Sequence, residues 1–308
     1  MHITPAPEAF IRVEVAVPEE KDLISLTGIL TDMLRRRIIT QSPSVTSLLG
    51  LIAPVMHDPA VQAKLLPYHG KNIPESVLLE IRALKQLPFW MGLFSLYGTQ
   101  EVVEAQLATL TREFATKTSG RASITNKLFS CPPGKKLPAD IIGEDPEFIP
   151  QTGRPTLASL AVLNGGGHAT FAPLIPPSGR ELYDWYLEAK EVASAAGFNF
   201  LADFHLYGRY VIAIGLIMFQ PQVQGPSIHS MLTTLTDLTI RKGFSEYRTH
   251  VSFMDEVAAH YGFNQRSLGR LTQRFKDLLD PRGILSPGKQ GVWNSEDSGR
   301  GVEPKPQH

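Results

Sequence analysis

Between residues 10 and 17 the chain alternates: Ile11, Val13 and Val15 are apolar, while Arg12 and Glu14 are charged. A two-residue period puts one set of side chains on each face of a strand, so the segment predicts a half-buried β-strand. Pro18-Glu19-Glu20 then opens a helix, because proline suits the first turn and acidic side chains complement the positive end of the helix dipole. Leu23, Leu26, Ile29, Leu30 and Met33 recur at helical spacing, and Arg35-Arg36-Arg37 ends the helix at residue 37 with the charge its C-terminus favours. Residues 43–66, apolar with Ser and Pro, predict helix. Residues 90–97 predict a strand, and 100–115 an amphipathic helix carrying Val103, Leu107, Leu110 and Phe114. Residues 117–158 are rich in Pro, Gly, Lys and Asp and predict long connections.

The pattern then sharpens. Residues 169–174 predict a strand, 180–196 a helix stopped by Gly197, 199–206 and 210–219 two strands, and 226–242 a helix that starts with Pro226 and ends before Gly243. Helices are predicted at 253–260 and 266–279, the second ending at Asp280-Pro281, and residues 294–308 predict a disordered tail. This order gives an α+β fold: a largely antiparallel sheet covered by helices on one face, followed by a C-terminal helical segment. The repeated alternation of strands and helices hints at a duplicated unit.

Composition narrows the function classes. The chain has 308 residues, 30 Lys plus Arg against 30 Asp plus Glu, and a hydrophobic content of 43%, enough for a sizeable core. Balanced charge provides no basic field for nucleic acid or an acidic membrane surface. No apolar run approaches the roughly 18 residues that span a bilayer, and the N-terminus shows no secretory pattern, so the expected location is the cytoplasm. The one cysteine, Cys131, precedes Pro132-Pro133-Gly134 and reads as a loop residue without chemistry. No metal site is called.

Three places carry candidate chemistry. Asn164-Gly165-Gly166-Gly167-His168 has neither Rossmann nor Walker spacing. Either it is a turn leading into a strand with His168 as a polar first residue, or the glycines let backbone approach a flat ring that His168 faces. Tyr247-Arg248 is either a surface or interdomain stack or a binder of phenolate, since Arg keeps its charge and Tyr donates a directional O–H. Lys289, in Ser286-Pro287-Gly288-Lys289, is either a solvated loop lysine or a cation presented by a tight turn. Arg209, between the two strands at 199–206 and 210–219, is a weaker candidate.

Gly243-Phe244-Ser245-Glu246-Tyr247-Arg248-Thr249-His250, followed by the run from Leu279 through Pro281, Gly283 and Pro287 to Trp293, closely resembles the C-terminal signature of the vanillyl-alcohol oxidase and p-cresol methylhydroxylase family of FAD-linked oxidases. Gly153-Arg154-Pro155-Thr156 and the segment around His168 match further family motifs. The resemblance implies a cap or substrate domain at 1–243, a segment at 244–293 that completes the flavin site, and the tail from 294. It implies FAD as cofactor, attached covalently through His168, with Lys289 near the flavin N1 edge. Tyr247 and Arg248 would hold the oxygen of a small phenolic substrate while hydride leaves its benzylic carbon. His250 and Asp255, close in sequence, are read as supporting or structural residues and are assigned no role. The family's N-terminal FAD domain has no counterpart in these residues, so the resemblance implies an incomplete chain or a separate FAD-domain chain as partner, a homo-oligomer when complete, and apolar surface on the C-terminal helices. Two alternatives stand: a catalytically silent cap-domain remnant or interaction module, and an FAD-linked 2-hydroxy-acid dehydrogenase, which Tyr247-Arg248 disfavours.

Overall fold

The structure is a computed structural model and describes residues 7–130 and 167–296. Cys131, Gly153-Arg154-Pro155-Thr156, Asn164-Gly165-Gly166 and residues 297–308 lie outside the described residues. The strands are β1 (Ala9–Val17), β2 (Ser44–Ser47), β3 (Trp90–Gly98), β4 (Ser123–Ser130), β5 (Gly167–Phe171), β6 (Pro173–Ile175), β7 (Leu201–Leu206), β8 (Val211–Phe219) and β9 (Ser245–Glu246). The helices are α1 (Leu23–Arg35), α2 (Leu48–Ile52), α3 (Pro59–Leu65), α4 (Glu75–Lys85), α5 (Gln100–Lys117), α6 (Gly179–Ala195), α7 (Pro221–Arg241), α8 (Met254–Ala259) and α9 (Phe263–Leu279).

The described strands form one antiparallel sheet in the order β4-β1-β3-β2-β7-β8-β6-β9, with β5 also pairing β8. The duplication hinted at by the sequence is present in this topology. β1-α1-β2-β3-α5-β4 and β6-α6-β7-β8-α7-β9 run through the same βαββαβ order, and β2 pairs with β7 where the two halves meet. The segment α2 to α4 is inserted between β2 and β3 of the first half.

Helices α5, α1, α6 and α7 pack in that sequence across one face of the sheet. β1 shows why: Val13, Val15 and Val17 point under the helices and are fully buried, while Arg12 and Glu14 occupy the other face. At the junction of the halves, a Cβ added to Gly179 would lie 2.2 Å from the Ile24 carbonyl oxygen, so the start of α6 can sit against α1 only with glycine there. The buried Trp185 of α6 donates from Nε1 to Thr239 Oγ1 of α7 at 3.1 Å, which satisfies two buried polar groups at once. Glu20, just ahead of α1, accepts from Lys190 Nζ at 2.7 Å and from the Tyr186 hydroxyl at 3.1 Å, and Lys190 also reaches Glu75 of α4 at 2.7 Å.

Four expectations change. Residues 43–66 are not one helix; they open with β2, whose four residues are defined by ladders on both sides rather than by local pattern. The connection predicted from 117 contains β4, an edge strand with mostly exposed side chains. Helix α7 begins at Pro221, and Pro226 lies inside it. The boundary at 294 does not hold for the first tail residues: Asn294 is buried and donates to the Pro281 carbonyl at 3.3 Å, and Ser295 N donates to Asp277 Oδ1 at 2.7 Å.

Candidate functional site

His168 sits on β5 opposite Met218 of β8, and Thr170 sits opposite Leu216. Directly paired residues share a face, and alternation places both exposed side chains away from the helices. Phe171, on the other parity, stacks on Trp185 with ring centroids 6.5 Å apart. The same register carries Asp203 and His205 of β7, opposite Ile214 and Ile212, onto the face of His168. Asp203 Oδ1 accepts from Ser44 Oγ at 2.7 Å and from Thr46 Oγ1 at 3.1 Å, and His205 Nε2 lies 3.7 Å from Asp203 Oδ2. Neither residue was singled out from sequence. The available signal was two polar side chains at alternate positions in the otherwise apolar strand Leu201–Leu206.

Tyr247 and Arg248 are positioned by the end of α7. Gly243 adopts φ 75°, its N–H donates to the Ile240 carbonyl at 2.8 Å, and Phe244 N–H donates to the Thr239 carbonyl at 3.1 Å. This is a Schellman ending, which needs a residue in the left-handed region at that point. It turns the chain into β9, which pairs with β6, and Tyr247 N then donates to the Ala172 carbonyl at 2.7 Å. Ala172 is the residue between β5 and β6, so His168 and the Tyr247-Arg248 pair are brought to one corner of the sheet. Tyr247 is 53% exposed, Arg248 is exposed, and the guanidinium carbon lies 6.0 Å from the Tyr247 ring centroid. Within this chain the pair is a loose, open stack. His250 Nδ1 accepts from Ser252 N at 3.2 Å and starts the next helical turn.

Lys289 is held on a different loop. The Asp280 carboxylate accepts from Ile284 N at 3.0 Å, Leu285 N at 2.8 Å and Lys276 Nζ at 2.7 Å, and the Lys276 contact holds its pKa below the usual carboxylate range. Gly288 adopts φ 71°, and a Cβ there would meet the Trp293 ring at 2.3 Å. Trp293 Nε1 donates to Asp255 Oδ1 at 2.8 Å. The loop is therefore fastened to α8, with Lys289 exposed near its tip. Arg209 is exposed in the turn between β7 and β8. Asp255→Ala should free the indole N–H and loosen residues 286–293, at a cost of about 1 kcal/mol or slightly more. Amide exchange in that loop should accelerate while the sheet amides stay protected; unchanged loop protection would mean that Asp255 does not anchor it.

The C-terminal helix presents apolar surface, as expected. Leu268, Leu271, Phe275 and Leu278 follow helical spacing along α9, yet Leu278 and Leu279 are 75% and 73% exposed. Ile284 and Leu285 extend the patch. An uncovered stripe of this kind marks a contact surface.

Residues 158–290 match the family model of the FAD linked oxidases, C-terminal domain. Over 296 residues the chain is 26% identical to the flavoprotein subunit of 4-cresol dehydrogenase (hydroxylating) from Pseudomonas putida, a match covering 94% of this chain and 53% of that protein. Its fold is similar to that of p-cresol methylhydroxylase with substrate bound, with a TM-score of 0.78 at 22% identity over 94% of this chain and 54% of the other. It is likewise similar to 4-ethylphenol oxidase from Gulosibacter chungangensis in its isoeugenol complex, with a TM-score of 0.79 at 20% identity over 96% and 56% of the two chains. The chain thus spans about half the length of these relatives. Residues 158–290 are thus similar to the C-terminal domain of the FAD linked oxidases, a likeness that supports FAD as the cofactor, and the described residues share the fold of the corresponding part of p-cresol methylhydroxylase.

Proposed function

We propose that this chain forms the substrate side of a flavin site that oxidises para-substituted phenols by hydride transfer to FAD. The observation that carries the reading is the hydrogen bond from Tyr247 N to the Ala172 carbonyl, which fixes the Tyr247-Arg248 pair beside the strand that bears His168. The relatives support the substrate class: 4-cresol and 4-ethylphenol are both phenols with a para-alkyl group.

The residues present fit part of FAD. His168 offers an exposed imidazole on a rigid strand, and Lys289 an exposed ammonium on a fastened loop. When bound, FAD accepts the two electrons and hydrogen that leave the benzylic carbon as hydride. Arg248 would hold the phenolic oxygen as phenolate by fixed positive charge, and Tyr247 would donate its O–H to the same oxygen. Their effect grows once water is excluded, because the attraction is screened while they stand open to solvent. His168 would carry the covalent attachment, and Lys289 would place its charge near the flavin N1 edge. The remaining contacts to FAD would come from outside residues 1–308, from a longer form of the polypeptide or a separate FAD-domain chain, packed on the apolar stripe of α9. A second reading, a non-catalytic binding module, is favoured by the exposure of Tyr247 and Arg248.

One measurement separates the two. The intact mass of the native protein from its source is taken, and flavin fluorescence is read on the same denatured sample. A fluorescent adduct that maps to His168, and becomes acid-extractable in His168→Ala, is the expected result. A colourless chain with no copurifying flavoprotein would leave the binding module as the better reading. Flavin that stays covalent in His168→Ala would remove only the attachment role of His168.

A further inference from the structure

The segment α2 to α4 meets the second half of the chain at two polar ties. Ile73, just ahead of α4, donates from its N–H to Asn199 Oδ1 at 2.9 Å, and Asn199 Nδ2 donates back to the Ile73 carbonyl at 3.0 Å. Glu75, at the start of α4, accepts from Lys190 of α6 at 2.7 Å. Beside these ties lies a cavity of about 130 Å³. Its walls are set by fixed contacts, so a ligand would not have to order them.

The inner wall is aromatic: Phe89, Tyr186, Phe198 and Phe200 line it, and all four are buried. An apolar space of about 150 Å³ takes one benzene ring, so the volume suits a single ring. The mouth is polar. Lys190 commits two of its three N–H donors, to Glu20 and Glu75, and keeps one. Glu75 uses one carboxylate oxygen and, among the described residues, keeps the other; its side chain is 53% exposed, which places it at the rim. Asn72 and Ser194 also line the space, and neither side chain has a hydrogen-bond partner among the described residues. The described lining shares no residue with the Tyr247-Arg248 corner.

We propose that this cavity binds a small neutral aromatic alcohol or phenol, at a site separate from the Tyr247-Arg248 corner. A hydroxyl both accepts and donates. It therefore answers the spare Lys190 N–H and the spare Glu75 oxygen together, while its ring enters the aromatic wall. A carboxylate would face Glu75 and Glu20 with only Lys190 to offset them, and is disfavoured. An ammonium faces the Lys190 charge and leaves its spare N–H unmatched. The occupied cavity bridges α4 and α6, so the ligand fastens the inserted segment to the second half and stabilises the chain by mass action. The site needs no part of the phenol oxidation proposed above.

The test titrates the 308-residue chain with phenol, benzene and benzoate and follows the methyl resonances of Leu78, a lining residue of α4, assigned with Leu78→Met. Phenol should shift them saturably with a Kd on the order of 1 mM, benzene should bind more weakly, and benzoate should leave them fixed. Ser194→Trp places a ring in the cavity from an exposed position and should block both phenol and benzene. Glu75→Leu should weaken phenol about tenfold and leave benzene unchanged, which a loss of structure would not do. Arg248→Met should leave the shifts intact. No saturable shift by about 10 mM phenol, or a shift that persists in Ser194→Trp, overturns the site. Equal responses to phenol and benzoate, or a phenol affinity indifferent to Glu75→Leu, overturn the ligand class. Shifts that vanish in Arg248→Met would place phenol at the Tyr247-Arg248 corner alone, so the cavity proposal would fail while the phenol reading stands.

Discussion

Replacing Arg248 by Met in the FAD-containing enzyme is expected to lower kcat/KM for a para-alkylphenol by about a hundred- to a thousandfold, the usual effect of losing one preorganised group that faces developing charge. The substitution keeps an unbranched side chain of similar reach and removes only the cation and its donors. Arg248 is exposed in the described chain, and no ion pair to it appears among the described residues, so its loss leaves no buried partner behind. The fold should therefore survive, with thermal unfolding unchanged. Tyr247→Phe keeps the ring that Arg248 overlies at 6.0 Å and should cost less, because a single neutral donor is lost. Steady-state kinetics on several para-alkylphenols provide the check. A change of less than about threefold in Arg248→Met would place the phenolic oxygen elsewhere.

Trp185→Ala is expected to destabilise the chain by about 4 kcal/mol, measured by urea unfolding. Trp185 is fully buried, stacks on Phe171, meets Phe200 edge-on at 6.0 Å, and donates to Thr239. Truncation opens a void and leaves the Thr239 hydroxyl without its donor. Trp185→Phe keeps most of the volume and should cost about 1–2 kcal/mol, which separates the packing loss from the polar loss. The consequences reach the candidate site, because Phe171 precedes Ala172, the residue that holds Tyr247 in place. A loss below about 1.5 kcal/mol in Trp185→Ala would mean that α6 and α7 close the gap without it.

The parts of the fold that were legible in sequence are those whose burial is set by their own periodicity. β1, α1, α5 and the C-terminal half of α7 each carry an apolar face that repeats every two residues or at helical spacing, and β8 is a continuous apolar run buried on both faces. β2 was not legible, because Ser44–Ser47 has no strong pattern of its own and exists by pairing with β3 and β7 on either side. β4 was missed because an edge strand can stay polar and exposed. Pro226 misled by looking like a helix start, a part that Pro221 takes five residues earlier. At the candidate site, Tyr247-Arg248 and Lys289 were legible as motifs. Their supports were not: Ala172 and Asp255 act through partners distant in the chain, which a motif does not record. Asp203 and His205 escaped for a related reason, since their shared face with His168 follows only from the register through β8.

The seam between β2 and β7 also bears on the order in which the molecule assembles. Ser44 and Thr46 reach Asp203 across 159 and 157 residues of sequence, whereas β7 and β8 are joined by a short turn. Contacts of such long range close a large loop and are expected to form late in folding, after each half has built its own strands. His168, Ala172 and Tyr247 all belong to the second half, so their corner can take shape before the halves join. Until the seam closes, β2 and β7 are both open edges able to recruit the wrong strand, which makes the slow union of the halves the step at which a nascent chain is most prone to aggregate.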